Sequence, residues 1–370
     1  MLFYTVIFVL LSPAAAAGQI QTTAEADSTG AETYRNHNTI LPAIGATPET
    51  GMLFGGVIIR QFKPGGAGEE TRSSFLLASA IYTAKNQLML AFAPVLILKD
   101  EQWIMEGSYQ FQFFPDSYWG VGRDSRESDE VIFQYRQWEV IQSFQKRIAE
   151  NMFAGPTIRW SHISDMEFRD TDNKKISNPA VDGAEGSISA GVGIIYLWDL
   201  RNSMLTPTRG HLVRLMSMFY PGFLGTSHSY STGSIDTRKY VDLSGNGKSV
   251  AAFNMLAVLT AGKPAFTDYP SLGGSSILRG YYYGRYRDNN TLQIQAEFRQ
   301  HVFWRVGFTM FASSGEVWSR FSDFSVMDPK YAAGVGLRFN LNKNDTTNLR
   351  IDYGMGKGVS GFYLTFGEAF

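Results

Sequence analysis

Among the residues whose chemistry could serve a function, one arginine lies in an unusual glycine-rich setting. Residues 269–281 read YPSLGGSSILRGY and end in Leu278, Arg279, Gly280 and Tyr281. Glycine permits a tight, closely packed backbone path. A single guanidinium between apolar neighbours suits a loop that folds back into the protein and pairs with a carboxylate. Arg279 is therefore the first candidate for a functional contact.

No catalytic or metal-binding pattern accompanies this arginine. The five histidines are scattered without the short spacings of a metal site, and the chain has no cysteine. It also lacks the G-x-S-x-G elbow of a serine hydrolase. The sequence therefore predicts no enzyme, no catalytic residues, no metal and no cofactor. A Ser/His or Asp/His site assembled from distant strands would leave no such signature and stays open as an alternative.

Composition restricts the class of protein and its partners. The 33 basic and 34 acidic residues leave a formal charge of −1, which argues against nucleic acid as a partner because such binders need a basic surface. At 44% hydrophobic and 18% charged residues, the chain is too apolar to be disordered.

The first residues form a short apolar segment. Residues 2–11 are apolar and are followed by Ser, Pro and a run of small residues up to Gly18. Ten apolar residues are too few to cross about 30 Å of hydrocarbon. The pattern predicts a signal peptide over residues 1–17, cleaved near Ala17, and a short flexible periplasmic lead over 18–38.

From residue 39 onward, apolar and polar side chains alternate with period two. In residues 292–299, LQIQAEFR, the apolar and polar sets point to opposite faces of a strand. The predicted strands are long for a soluble protein, and Glu, Arg and Gln at mid-strand suit a wet lumen. Aromatic residues at strand ends resemble an interfacial girdle. These residues are Phe113, Phe114, Tyr118, Trp119, Phe219, Tyr220, Phe303 and Trp304.

Residues 39–370 are predicted to form a closed antiparallel barrel of sixteen transmembrane strands, an all-β membrane protein. Closure leaves no unpaired backbone edge in lipid. Long and short connections alternate, so the odd-numbered connections are assigned as extracellular loops and the loop of Arg279 is the sixth. The predicted strands are 39–47, 51–62, 72–84, 86–98, 101–114, 131–147, 149–163, 184–200, 209–220, 229–243, 248–262, 290–303, 305–312, 330–341, 347–355 and 361–370.

Several short motifs, in order along the chain, resemble the BamA/TamA-like bacterial surface antigen family of outer-membrane β-barrels. Residues 278–281 resemble its (V/I/L)-R-G-(F/Y) motif, which lies in a sixth extracellular loop folded into the barrel lumen. The resemblance implies location in the outer membrane of a Gram-negative cell and a lumen plugged by this loop. The other matching segments are 42–51, 199–210, 297–299, 350–354 and 366–370.

The family also suggests what Arg279 contacts. Its loop arginine pairs with an Asp on strand thirteen, but Ser313 occupies that position here, so the usual ion pair cannot form. Glu297, Asp352 and Glu316 are candidate lumenal replacements, and the first two point inward by strand parity. Hydrogen bonds from Arg279 to backbone carbonyls are the alternative.

The resemblance implies a function at the seam between the first and last strands, for which Ile44, Gly45 and Tyr363 are the candidate residues. This function is insertion or translocation of envelope proteins or lipids. Pro42 and Gly45 weaken strand pairing at the seam. The implied partners are outer-membrane lipid, envelope protein clients and periplasmic or lipoprotein partners, and a homo-oligomer is a further alternative.

The periplasmic repeats of BamA and TamA are missing from this sequence, which leaves two other functions open. One is a gated or plugged channel, and the other is a structural or docking barrel without insertase activity. The final strand adds one more expectation. Its pattern places Phe362, Leu364, Phe366 and Phe370 on the lipid face, and Phe366, Gly367 and Phe370 resemble the C-terminal assembly signal of outer-membrane barrels.

Overall fold

The computed structural model describes residues 37–65, 71, 73–98, 101–177, 179–203, 206–325, 328–342 and 345–370. The predicted signal peptide and nearly all of the predicted lead lie outside these residues. In the part of the chain that the structure describes, no helix combines the length and apolarity needed to span a membrane. Its helices are single 3-10 turns at Glu127–Asp129, Gly222–Leu224, Phe266–Asp268 and Phe321–Asp323.

Within the described residues, sixteen long strands and one two-residue strand form one antiparallel sheet that closes on itself. Each long strand pairs with the next along the chain, and β1 pairs with β17 to complete the ring. The predicted sixteen-stranded barrel is confirmed. The strands are β1 (His37–Thr47), β2 (Gly51–Phe62), β3 (Ser74–Thr83), β4 (Leu88–Leu98), β5 (Trp103–Tyr118), β6 (Val131–Ala149), β7 (Met152–Arg169), β8 (Lys175–Ile176), β9 (Ser187–Asp199), β10 (Gly210–Tyr220), β11 (Tyr230–Asp242), β12 (Ser249–Gly262), β13 (Asn290–Phe303), β14 (Val306–Trp318), β15 (Lys330–Asn342), β16 (Asp345–Gly356) and β17 (Val359–Phe366).

Three strands run at least four residues past their predicted ends, and one of them is β7, which ends at Arg169 rather than at residue 163. β5 continues through Pro115 to Tyr118, and β14 continues through the Ser313–Gly315 segment to Trp318. These residues are typical of turns, but each lies opposite a partner on a neighbouring strand, as Pro115 lies opposite Gln134. The pairing of adjacent strands therefore outweighs the local turn preference, and the connections that follow are shorter than predicted.

The sixth connection at the end of the barrel that carries the long loops lies inside the lumen. This connection, residues 263–289, is hereafter called the plug loop. Most of its residues are buried, and Leu272, Leu278 and Arg279 are fully so. The predicted lumenal position of the sixth loop is confirmed.

The interior wall is less uniformly polar than the sequence suggests. On β2 to β4 the inward side chains are apolar as well, including Leu53, Leu77 and Met89, each about 1% exposed. The outward residues of the same strands, such as Phe54 and Phe92, are also apolar. The buried ion pairs of the wall lie on other strands, among them β13, β15 and β16 on one side and β6 and β7 on another.

The end of the last strand corrects one prediction. β17 ends at Phe366, and Gly367, with a φ of +80°, turns the chain inward. Glu368 then pairs with Arg338 at 2.8 Å, and the Phe370 ring is 6.0 Å from the ring of Tyr240 in the barrel interior. Placing Phe370 on the lipid face was therefore wrong, because this ion pair and the glycine turn direct the last residues into the lumen.

The aromatic girdle is also only partly as predicted. Phe219, Phe303 and Trp304 are more than half exposed, as residues that face lipid should be. Phe113 is partly exposed, whereas the four remaining residues pack into the barrel interior, because strand parity and the longer β5 place them on the inner face. The buried residues are Phe114, Tyr118, Trp119 and Tyr220.

Candidate functional site

The Arg279 guanidinium lies in the lumen between two carboxylates of the barrel wall. It contacts Glu297 of β13 and Asp352 of β16, and all three side chains are fully buried. Its Nη2 is 3.3 Å from the Gln295 Oε1, and its guanidinium carbon is 3.4 Å from the centroid of the Phe311 ring. The planar guanidinium thus forms ion pairs through its N–H groups and a cation–π contact through its face. Together these contacts fix the middle of the plug loop to three strands.

The other candidates for this contact lie elsewhere. Glu316 contacts Arg123 in the connection between β5 and β6. The hydroxyl of Ser313 is 3.4 Å from the carbonyl oxygen of Ala332. The structure thus brings Glu297 and Asp352 to Arg279 and places Glu316 in a separate ion pair.

Three further arginines share these carboxylates, and none of them was predicted as a member of this site. Arg299 is 2.7 Å from Glu297, Arg338 is 2.6 Å from Asp352, and Arg350 is 3.5 Å from Asp352. All three point inward by strand parity, and Arg299 and Arg350 also lie in segments 297–299 and 350–354, which resemble family motifs. With Glu368, this lumenal cluster sets four guanidinium groups against three side-chain carboxylates, and the Phe370 main-chain oxygen accepts a further 3.1 Å hydrogen bond from Arg299.

Glycines of β16 form the surface on which the plug motif rests. A Cβ on Gly354 would overlap the Arg279 carbonyl, and one on Gly356 would overlap the Tyr281 ring. Gly280 has a φ of +119°, and a Cβ there would lie 3.0 Å from the backbone of Gly354. Both the loop and the wall therefore need glycine for this close approach.

A second anchor holds the beginning of the plug loop to the opposite wall. Asp268 accepts hydrogen bonds from Ser189 of β9 at 2.6 Å and from Arg159 of β7 at 2.9 Å. Burial alone would raise the pKa of Asp268, but the Arg159 guanidinium holds it below its usual value. Arg159 also contacts Glu139 of β6 at 2.8 Å. The plug loop thus spans the lumen between two ionic anchors of opposite polarity.

The predicted seam residues lie at the junction of β1 and β17. Ala46 opposite Leu364 is the one residue pair that joins these strands among the described residues. A Cβ on Gly45 would come within 2.6 Å of the Leu364 carbonyl oxygen. Ile44 faces outward and is 45% exposed, whereas Tyr363 faces the lumen and is fully buried.

The residues that the structure describes form no metal-binding site. Among the described residues, no group of three or more His, Asp or Glu side chains is placed to hold an ion. The buried carboxylates of the lumenal cluster are instead occupied by arginines.

A family model decides the relationship of the chain to known proteins. The model of the Omp85 superfamily domain matches residues 79–370. The chain belongs to the Omp85 superfamily. This membership confirms the resemblance to BamA-like barrels and, together with the closed barrel, points to the outer membrane of Gram-negative bacteria. A comparison with curated protein sequences finds no significant match.

Solved structures of this kind share the fold of the Omp85 chain. BamA from Haemophilus ducreyi lacking POTRA domains 1–3 superposes with a TM-score of 0.61 at 12% identity, over 90% of this chain and 70% of that one. CdiB from Acinetobacter baumannii gives 0.55 at 14% identity, over 89% and 59%. CdiB from Escherichia coli gives 0.58 at 11% identity, over 88% and 62%. The chain thus spans less than two thirds of either CdiB structure.

Proposed function

We propose that this Omp85 barrel assists the insertion or translocation of envelope proteins or lipids through the seam between β1 and β17. The observation that carries the proposal is the unequal pairing of β1. It pairs with β2 along its whole length, from His37 to Thr47, but with β17 through Ala46 and Leu364 alone. The barrel therefore has one junction that opens at little cost in backbone hydrogen bonds.

The geometry of the seam also leaves a free strand edge. In the register set by Ala46 and Leu364, the last residue of β17, Phe366, stands opposite Ile44. Because the chain then turns inward at Gly367, residues 38–42 of β1 extend past β17. Within the described residues this stretch has β2 as its only neighbouring strand, and Ile40 is 75% exposed. An exposed edge of this kind pairs with an added strand, so it suits the capture of an unfolded envelope protein.

A gated channel is the second candidate, and the attachment of the plug loop favours it. The loop is held by charged and polar contacts at Arg279 and Asp268 rather than by an apolar core alone. Such contacts exchange readily for water when the loop withdraws. In this alternative the lumen, and not the seam, is the path.

Photo-crosslinking in native membranes tests the proposal. A photoreactive residue replaces Ile44 at the seam, and a control replaces Phe54, which lies opposite Ile44 on β2 and also faces outward. Crosslinks from position 44 to varied envelope proteins or lipid-linked molecules, and fewer from position 54, are expected. Crosslinks from position 44 only to the last strand near Tyr363 would contradict the proposal and favour a channel or scaffold.

A disulfide lock gives a second test, which the absence of native cysteine makes clean. Ala46→Cys with Leu364→Cys joins the seam, and Ile40→Cys with Ile58→Cys joins β1 to β2 as a matched control that leaves position 44 free for the photoreactive residue. Oxidation should abolish client crosslinking for the seam pair alone. Equal client crosslinking in both oxidised proteins would show that the seam need not open.

A further inference from the structure

The plug loop touches both sides of the seam from within the lumen. The Gly280 N–H donates a 2.9 Å hydrogen bond to the hydroxyl of Tyr363 on β17. Three residues further on, the Tyr283 N–H donates a 2.7 Å hydrogen bond to the Oε1 of Glu49, in the turn that follows β1. Both acceptors come from side chains that are at most 2% exposed.

These two contacts lie directly across the seam from one another. Since Ala46 pairs with Leu364, the position opposite Tyr363 is Thr47, and Glu49 follows two residues later. The turn that carries Glu49 is itself held in place, because the Thr47 and Thr50 hydroxyls are 3.0 Å apart. Gln87 also donates a 3.0 Å hydrogen bond to the Glu49 carbonyl oxygen. Glu49 is therefore a fixed point on the β1 side, as Tyr363 is on the β17 side.

A third contact ties the loop to β17 through an arginine. Arg350 Nη2 donates a 2.9 Å hydrogen bond to the Ser275 carbonyl oxygen of the plug loop. Its Nε donates a 2.8 Å hydrogen bond to the hydroxyl of Thr365 on β17. The seam strand β17 is thus attached to the loop at two successive inward positions, Tyr363 and Thr365.

We propose that Tyr363 and Glu49 are positioning residues through which the plug loop holds the seam closed, so that loop withdrawal and separation of β1 from β17 are one coupled event. The two hydrogen bonds from the Gly280 and Tyr283 N–H groups to these side chains are hereafter called the clamp. The proposal rests on the seam function proposed above and identifies the contacts that regulate opening of the seam. Backbone pairing supplies one residue pair at this junction, so two buried hydrogen bonds from a common loop segment form a large share of what joins the strands. Arg279 lies in the same segment, and its release from Glu297 and Asp352 frees both contacts together.

Removal of one hydroxyl tests the β17 side. Spin labels at Ala46→Cys and Leu364→Cys report the closed seam by dipolar broadening in continuous-wave EPR. Tyr363→Phe leaves the buried Gly280 N–H without its acceptor and should raise the ratio of open to closed seam about fivefold. Tyr353→Phe makes the same chemical change on the outward face of β16 and should leave the spectrum unchanged. Equal broadening in the two variants would overturn the proposal.

A pair of substitutions tests the β1 side. Glu49→Gln keeps an oxygen that accepts from the Tyr283 N–H, whereas Glu49→Leu does not. The leucine variant should open the seam, and the glutamine variant should retain the broadening of the unaltered protein. A merely structural need for bulk at position 49 predicts no difference between them, which would count against the clamp. Heat-modifiable migration on gels identifies the folded protein of each variant, and only folded protein is compared.

A reciprocal measurement needs no change in the clamp itself. Coupling between two sites is symmetric in free energy, so closing the seam by the 46–364 disulfide should slow hydrogen exchange in the plug-loop peptide 278–285. The Ile44→Cys and Phe54→Cys pair across β1 and β2 serves as the control. Unchanged exchange in the seam-locked protein would overturn the proposal, whether or not the substitution variants fold.

The clamp and the proposed function fail in different ways. If client crosslinks from position 44 occur but Tyr363→Phe does not alter the seam, the clamp is wrong and the function survives. If Tyr363→Phe opens the seam but no clients crosslink, the clamp stands as a property of the barrel and the function is wrong.

Discussion

Gly354 of β16 lies against the backbone carbonyl of Arg279, so closely that a Cβ at position 354 would overlap that oxygen. The contact is purely steric and is independent of the carboxylates that hold the Arg279 side chain. Shape and charge therefore secure the plug motif separately, and each can be removed while the other stays intact.

Gly354→Ala tests the steric part. The added methyl group overlaps the loop backbone, which has no flexible side chain to yield, so the loop should shift from the wall and ion conductance in planar bilayers should rise. Gly233→Ala on β11 is the matched control, because no atom lies within 4 Å of its added Cβ. Equal conductance in the two variants would contradict the close packing of the loop on β16.

Arg279→Ala tests the ionic part. It removes the guanidinium from Glu297 and Asp352 and should raise conductance and destabilise the barrel by about 3 kcal/mol, since buried charges lose a partner. Arg279→Lys keeps the charge but loses the planar fork, so an intermediate conductance is expected. Conductance unchanged from the unaltered protein would show that Arg279 does not secure the plug.

Moving a carboxylate tests the charge pairing within the lumenal cluster. Asp352→Asn should increase conductance because Arg279, Arg338 and Arg350 all lose a partner. Adding Ser313→Asp places an acid on β14, opposite Gln295 in the strand register, and should restore part of the seal. The single Ser313→Asp variant should fold normally. An additive loss in the double variant would refute the rescue.

Glu49 predicts a pH dependence for docking of the loop tip. Burial raises the pKa of this carboxyl above 4.5, against the lowering effects of the Tyr283 N–H and Lys85. Glu49 therefore binds a proton more tightly when the loop tip is docked than when water surrounds its carboxyl group. Docking of the loop tip consequently weakens as pH rises from 4.5 through the raised pKa, and then levels off. Conductance should increase across that window.

The neighbours of Glu49 supply the controls for this titration. The titratable groups that interact with Glu49 are Lys85, Asp116, Tyr282, Tyr283 and Tyr363. Glu49→Gln should flatten the pH profile, whereas Asp116→Asn should leave the Glu49 step in place. A step that persists in Glu49→Gln would assign the titration to another group.

Phe370 is expected to matter for stability and for assembly. Its ring packs on Tyr240 and lies 5.2 Å from the Arg299 guanidinium. Phe370→Ala should cost about 3 kcal/mol or more in stability, seen as earlier loss of the heat-modifiable form, and should slow assembly in cells. Phe362→Ala on the lipid face is the control. Normal assembly of Phe370→Ala in cells would contradict the signal interpretation.

The sequence alone determined the architecture of this protein. Period-two alternation located the strands, and its parity placed Glu297 and Asp352 on the inner face. The motif at residues 278–281 indicated a lumenal loop. These features are local, because side-chain direction along a strand follows from backbone geometry whatever the partner strand is.

The tertiary structure decided which of these residues meet. Parity could not choose between carboxylates and carbonyls for Arg279, or show that Arg338 and Arg350 share the same acids. In the sequence Glu49 is an ordinary turn residue, and only the folded plug loop reveals its contact. The strand pattern places Phe370 on the lipid face, and only the turn at Gly367 shows that it lies inside the barrel. Contacts between distant segments depend on strand register, barrel closure and the path of the loop, and periodicity carries none of these.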